Sequence, residues 1–284
     1  MDMIDAHHHL WNLTDGGYGW LDDPALAPIR RTFGVDDLRA ELAATGVDRS
    51  VLVEGGREDT GEAAILLGHA ARTEEIGAVV AWADPADPDL AGVLDGYLSL
   101  PGGDKLRGIR SQVQAAGPGY LDHPDVRRGL TLIGDLDLGF DLVVRVGQLP
   151  SVARLARDLP FVRFVLNHLG KPRIRAGDEG FAEWRLAIGP YAALPNAYAK
   201  ISGLVTEADR NSWTSGDLRP YILETLELFG AGRVMLGSDW PVCLLAGSYQ
   251  DVVAAQLAGL TAASPDERAA VRSATAAGFY RIDS

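Results

Sequence analysis

A chain of 284 residues that is 47% hydrophobic and 23% charged can bury a sizeable core and leaves no room for a long disordered tract. Its formal charge of −13, from 26 basic and 39 acidic side chains, argues against nucleic acid or anionic membrane as the main partner, because both require basic patches. Cys243 stands alone, so no internal disulfide forms; no apolar run reaches transmembrane length, and the first ten residues lack a signal-peptide pattern, which together lead us to expect a cytoplasmic protein.

Short apolar runs alternate with amphipathic stretches along the whole chain. The strand-like runs are 4–10, 50–54, 76–83, 106–112, 142–146, 162–167, 197–202 and 234–238. Helix-like segments lie between them at 35–44, 61–72, 89–98, 125–138, 149–158, 181–192 and 218–229, with two more, 249–260 and 265–279, after the last strand. Start signals mark several of these, such as Pro124 before Asp125 and the Ser264-Pro265-Asp266-Glu267 run. Eight strands alternating with helices predict parallel pairing and an α/β fold, a (β/α)8 TIM barrel formed as one domain over 1–284. No linker divides it, and no solenoid or propeller repeat is present.

The run Ile4-Asp5-Ala6-His7-His8-His9-Leu10-Trp11 is the most informative stretch. Strand alternation places Asp5, His7 and His9 on one face, where a pair of imidazoles can grip one cation or one substrate oxygen. A purification tag would be longer and would not sit between Ile4 and Leu10 in an apolar run.

In a barrel of this kind the chemistry gathers at the C-terminal ends of the strands. His7 and His9, Glu54, Trp82, Arg110 with Gln112, Arg145, His168, Lys200 with Ser202, and Asp239 fall at the ends of strands one to eight in turn. Long loops at 11–34 and 113–124 carry Trp11, Tyr18, Trp20 and Tyr120, which could cap a site or simply anchor the loops. Arg110, Arg145, Lys171 and Lys200 would make a positive mouth in an acidic protein, suited to an oxygen-rich ligand, and Trp11, Trp82 and Trp240 offer apolar faces for a sugar-like ring. The plain alternative is that the arginine pairs with Glu54 and the tryptophans pack. No Gly-x-Ser-x-Gly elbow or Gly-x-x-x-x-Gly-Lys loop is present, and His69, His123 and Cys243 read as surface, capping and packing residues.

Four ordered runs, 5–11, Leu166-Asn167-His168-Leu169-Gly170-Lys171-Pro172, Lys200-Ile201-Ser202-Gly203-Leu204 and Gly237-Ser238-Asp239-Trp240-Pro241, resemble the lactonase branch of the amidohydrolase superfamily. That branch includes sugar-acid lactonases of the fucono- and rhamnonolactone types and relatives that open pyrone rings, all on (β/α)8 barrels. The resemblance implies that His7 and His9 bind a divalent metal or polarise the substrate carbonyl, that His168 is the strand-six histidine, and that Asp239 orients and deprotonates the attacking water. Arg110 and Arg145 stand where two-metal relatives place ligands. A guanidinium cannot ligate, so a two-metal site is not expected.

The reading adopted is a hydrolase that opens a lactone ring with an activated water. His7, His9, His168 and Asp239 are the metal set for one divalent ion, with zinc the expected metal, and Asp239 and His168 are the catalytic pair. Arg110, Trp11, Trp82, Arg145, Lys171, Trp240 and Glu54 are the substrate-binding set. A metal-free route, with Asp239 as base and the imidazoles as oxyanion donors, stays open. The other functions weighed are a metal-dependent decarboxylase, disfavoured because Arg145 holds the place of its strand-five histidine, and a non-catalytic sugar-acid binding protein. The expected partner is a small-molecule lactone, with no nucleic acid and no membrane; whether the chain forms a homo-oligomer is left open.

Overall fold

Eight strands pair in strict chain order, and a computed structural model describes them within residues 2–283. They are β1 (Ile4–His8), β2 (Arg49–Val53), β3 (Ile76–Trp82), β4 (Leu106–Ser111), β5 (Gly139–Leu142), β6 (Arg163–Leu166), β7 (Ala197–Ile201) and β8 (Val234–Leu236). Every neighbouring pair is parallel. The ring is drawn together between β8 and β1, where the Asp239 amide donates to the His7 carbonyl at 2.8 Å and the His9 amide to the Trp240 carbonyl at 2.7 Å. The result is the expected (β/α)8 barrel.

Parallel strands need a crossover between them, and helices supply it. These are α1 (Val35–Thr45), α2 (Thr60–Arg72), α3 (Leu90–Leu98), α4 (Pro124–Asp135), α5 (Leu149–Asp158), α6 (Gly177–Ala192), a single turn α7 (Leu204–Glu207) with α8 (Ser215–Phe229), and α9 (Tyr249–Gly259). The chain ends in α10 (Pro265–Ala269), a π turn over Ala270–Ala274, and α11 (Thr275–Tyr280), so the helix expected at 265–279 is interrupted. Its start is as read: the Ser264 hydroxyl accepts from the Glu267 amide at 3.3 Å and the Glu267 carboxylate accepts from the Ser264 amide at 2.8 Å.

Two apolar layers hold the barrel. Strand residues such as Leu52, Val79, Ile109 and Phe164 meet the helices on the outside, while Ile4, Ala6, Val51, Val53, Ala78, Val80, Val165 and Met235 fill the inside. α11 adds Ala276, Phe279 and Tyr280 to the inner layer. A side chain at Gly77 would strike Ile282, and one at Gly139 would strike Phe279, so this tail plugs the end where the strands begin. The opposite end is left for the mouth.

Two expectations need correcting. The fifth strand is Gly139–Leu142 rather than 142–146, with Gly108 opposite Gly139 and Arg110 opposite Asp141. Asp141 makes that segment look unlike a buried strand, but it is neutralised inside the barrel by Lys200, and the buried Val143 and Val144 follow the end of the strand. In β1 the register breaks between Asp5 and His8. Asp5 therefore does not share a face with His7 and His9; it accepts from the Ser238 amide at 2.8 Å, the Ser238 hydroxyl at 2.6 Å and Tyr249 of α9 at 3.1 Å.

Candidate active site

β1 and β8 deliver three donors to one point. His7 Nε2 and His9 Nε2 are 3.2 Å apart, and Asp239 Oδ1 lies 3.4 Å from His9 and 3.7 Å from His7. Asp239 sits in left-handed backbone at φ 60°, a conformation that costs energy for a residue with a side chain and is held here by its amide bond to His7. His168, past the end of β6, has φ 55° and Leu169 φ 50°, which turns the imidazole to within 3.9 Å of Asp239 Oδ1. Glycines make the room. A Cβ on Gly237 would stand 2.7 Å from His7 Cβ, and one on Gly203 2.5 Å from His168 Nδ1 and 3.0 Å from Asp239 Oδ2.

Each ring is fixed through its other nitrogen. His9 Nδ1 donates to the Val53 carbonyl at 3.0 Å, which leaves the Nε2 lone pair free to face the centre. His168 Nδ1 lies 2.9 Å from the Ser202 hydroxyl, and His7 Nδ1 lies 3.4 Å from Lys200 Nζ.

The donor set suits a divalent cation. His7, His9 and Asp239 are the group among the described residues that can hold one. Two imidazoles and a carboxylate are ordinary zinc ligands, and tetrahedral bonds of about 2.0–2.1 Å put neighbouring ligand atoms about 3.3–3.4 Å apart. The observed 3.2, 3.4 and 3.7 Å are close to that. His168 stands outside this trio.

Burial governs the charges. It drives the His7 imidazole well below its usual pKa, with Lys200 adding to the effect, and pushes His168 down to about 3. Both rings are neutral at pH 7. Burial opposes ionisation of Asp239, but His168, the His9 hydrogen bond and Lys171 more than offset it, so the carboxyl stays below its ordinary value. A charged carboxylate thus faces the neutral rings of His7 and His168 in a buried site.

A family model described as amidohydrolase matches residues 4–282. The chain belongs to the amidohydrolase family. It is 37% identical to an L-fucono-1,5-lactonase of Burkholderia ambifaria, with 99% of this chain and 96% of that protein covered. It is 35% identical to an L-fucono-1,5-lactonase of Burkholderia multivorans, with 98% and 96% covered. Among solved structures, a Burkholderia multivorans amidohydrolase with bound zinc superposes with a TM-score of 0.93 at 33% identity over the full length of both chains.

The remaining positions singled out from the sequence of this amidohydrolase fall in different places. Arg110 is at the centre: Nε donates to Glu54 Oε1 at 2.5 Å, Nη2 to the Glu54 carbonyl at 2.6 Å, and Nη1 lies 3.4 Å from His7 Nε2. Glu54 is fully buried and also takes Gln112 at 2.8 Å and the Gly56 amide at 2.6 Å. Lys171 is half-buried beside Asp239, its ammonium on Gln114 at 2.6 Å. Trp82, half-buried, ends β3 opposite Arg110. Trp11 is buried, donating to the Arg31 carbonyl at 2.7 Å and packing behind His9 and against Trp20 and Phe33. Trp240 is buried edge-on against Phe33. Arg145 does not end β5; with the strand closing at Leu142, it stands three residues beyond and is exposed on the rim.

Sequence reading missed Asp141 and Tyr280, which join Lys200 inside the barrel, and Glu207 on α7. Burial raises the Glu207 carboxyl pKa, Lys171 and Arg145 lower it, and the side chain accepts no hydrogen bond among the described residues. Asp141 carried a usable signal, since an acid inside an otherwise apolar run needs a buried cation. Cys243 is buried and its thiol is held protonated by burial, which makes it inert.

Proposed function

We propose that this chain opens a sugar-acid lactone by hydrolysis, with Asp239 as the general base. The observation that carries the reading is the Asp239 carboxylate ringed by His9, His7 and His168 nitrogens at 3.4, 3.7 and 3.9 Å where the strands end. Its near-full-length likeness to two L-fucono-1,5-lactonases supports the substrate class.

Asp239 takes a proton from water as the water oxygen bonds to the lactone carbonyl carbon. The ring C–O bond then breaks, the leaving alkoxide takes from Asp239 the proton that water gave it, and the product is a hydroxy acid. His168 and Arg110 face the carbonyl side and stabilise the developing oxyanion. Lys171 and Trp82, with Gln112 and Gln114, hold the polar substrate, and Glu54 keeps Arg110 aimed. Trp11 and Trp240 act from behind, fixing His9 and the 11–34 loop.

His7, His9 and Asp239 would hold a divalent cation, zinc by their chemistry, with His7 Nε2 giving up its proton on binding. Bound there, it supplies Lewis acidity toward water and carbonyl. The whole of 1–284 forms one catalytic domain, and the cytoplasm is its expected location. No helix among the described residues is long and apolar enough to cross a membrane.

The test is proton release on a panel of five- and six-membered sugar-acid lactones, read with the zinc content of the protein and repeated after chelation. Acceleration over spontaneous opening for at least one lactone is expected, with about one zinc per chain. No acceleration across the panel overturns the reading; full activity after complete zinc removal overturns the metal's part in it.

A further inference from the structure

Beneath the mouth, a line of buried polar groups crosses the barrel interior. Tyr280 of α11 donates its hydroxyl to Asp141 Oδ1 at 2.8 Å, Lys200 Nζ donates to Asp141 Oδ2 at 2.6 Å, and the same ammonium stands 3.4 Å from His7 Nδ1. All four side chains are fully buried. Lys200 Nζ also lies 5.0 Å from the centre of the Tyr280 ring.

Stability does not explain this line. Barrel interiors are ordinarily filled by branched apolar side chains, and an ion pair in such a place is often no better than a well-packed apolar substitute. The surrounding inner layer, including Ala6, Val80, Val165 and Met235, is apolar. What distinguishes the line is where it ends. An imidazole has a broad χ2 and needs a partner on its distal nitrogen to hold its plane. His9 has the Val53 carbonyl and His168 has the Ser202 hydroxyl, whereas His7 has Lys200.

We propose that Lys200 is a positioning residue for His7, held in place by Asp141 and by Tyr280, so that the C-terminal helix is an arm of the active site. The ammonium can only donate, so Nδ1 accepts from it, the ring proton sits on Nε2 while no cation is bound, and the ring is held turned with Nε2 toward His9 and Asp239. Tyr280 closes the chain of restraint from the far end of the barrel. Its link to turnover rests on the lactone reading above.

Two variants test this. Tyr280→Phe removes one hydroxyl, and Lys200→Met combined with Asp141→Asn removes both charges so that neither is left alone. Ring nitrogen NMR of the three site histidines is read together with kcat and KM on the preferred lactone. In the double variant His7 resonances move while those of His9 and His168 stay, and kcat falls about 10- to 100-fold with KM within about 3-fold. Tyr280→Phe shifts both in the same direction by less. The proposal is overturned if His7 resonances stay in place in both variants, if all three histidines move together, or if kcat is unchanged. Should the double variant not fold, Tyr280→Phe decides alone. A wild-type chain that opens no lactone sinks the activity reading, and the resonances still decide the positioning role.

Discussion

Arg110 holds Glu54 by two hydrogen bonds at once, Nε on the carboxylate at 2.5 Å and Nη2 on the backbone carbonyl at 2.6 Å, with both side chains buried. The clamp aims the guanidinium at His7 while cancelling its charge. Removing one partner leaves the other buried and unpaired, which costs about 3–5 kcal/mol. Glu54→Ala is therefore expected to lose about that much stability in urea unfolding; a loss below 1 kcal/mol would show that water reaches Arg110.

Asp239→Asn keeps the shape of the base and removes its proton affinity. Turnover should fall by about 10²- to 10⁴-fold, the usual contribution of a positioned base, with the circular dichroism spectrum unchanged. Near-normal kcat in this variant would sink the assignment of Asp239 as the base.

Gly203 is needed for space and for its left-handed φ of 61°. In Gly203→Ala the new methyl would sit 2.5 Å from His168 Nδ1 and 3.0 Å from Asp239 Oδ2, so both side chains proposed to carry the chemistry must move. Misplacement on the scale of an ångström costs about 10²-fold in rate. Steady-state kinetics should show that drop in kcat, and a variant as fast as the wild type would mean that the loop yields freely.

Stability should fall in mild acid. Burial pushes His8 and His168 down to about 3 in the folded chain, whereas an unfolded histidine titrates near 6.5. Between those values the unfolded chain binds more protons, so stability is complete above pH 6.5 and is lost as pH drops toward 3. The slope is about 1.4 kcal/mol per pH unit for each histidine, or about 4 kcal/mol for the two by pH 5. Thermal melts from pH 8 to 5 should show a plateau and then a decline beginning near 6.5. A flat profile through pH 5 contradicts neutral buried rings.

Much of this was legible from residues close in sequence. Ile4-Asp5-Ala6-His7-His8-His9 and Gly237-Ser238-Asp239 read as strand ends with chemistry at the tip, and seven of the eight apolar runs fall on strands of the barrel, the fifth meeting its strand only at Leu142. What escaped depends on partners far away along the chain. Asp141 makes β5 look unlike a strand until Lys200, 59 residues later, is set beside it. Asp5 follows strand alternation on paper, but the register break in β1 turns it toward Ser238 and Tyr249. Trp11 and Trp240 looked like pocket walls because local pattern cannot tell an aromatic that faces a ligand from one that backs a ligand's neighbour. Burial against Phe33 answers that only in three dimensions.

The backbone bonds that join β8 to β1 run through His7, His9, Asp239 and Trp240 themselves. A folding intermediate with seven strands in place would have a respectable core and no assembled site, since Asp239 and the His7–His9 pair come from opposite ends of the chain. Contacts of such long sequence separation form late and slowly. Catalysis then works as a sentinel of complete assembly: recovery of activity after dilution from denaturant should lag behind recovery of helical signal, and a nascent chain released before its eighth strand emerges would be silent.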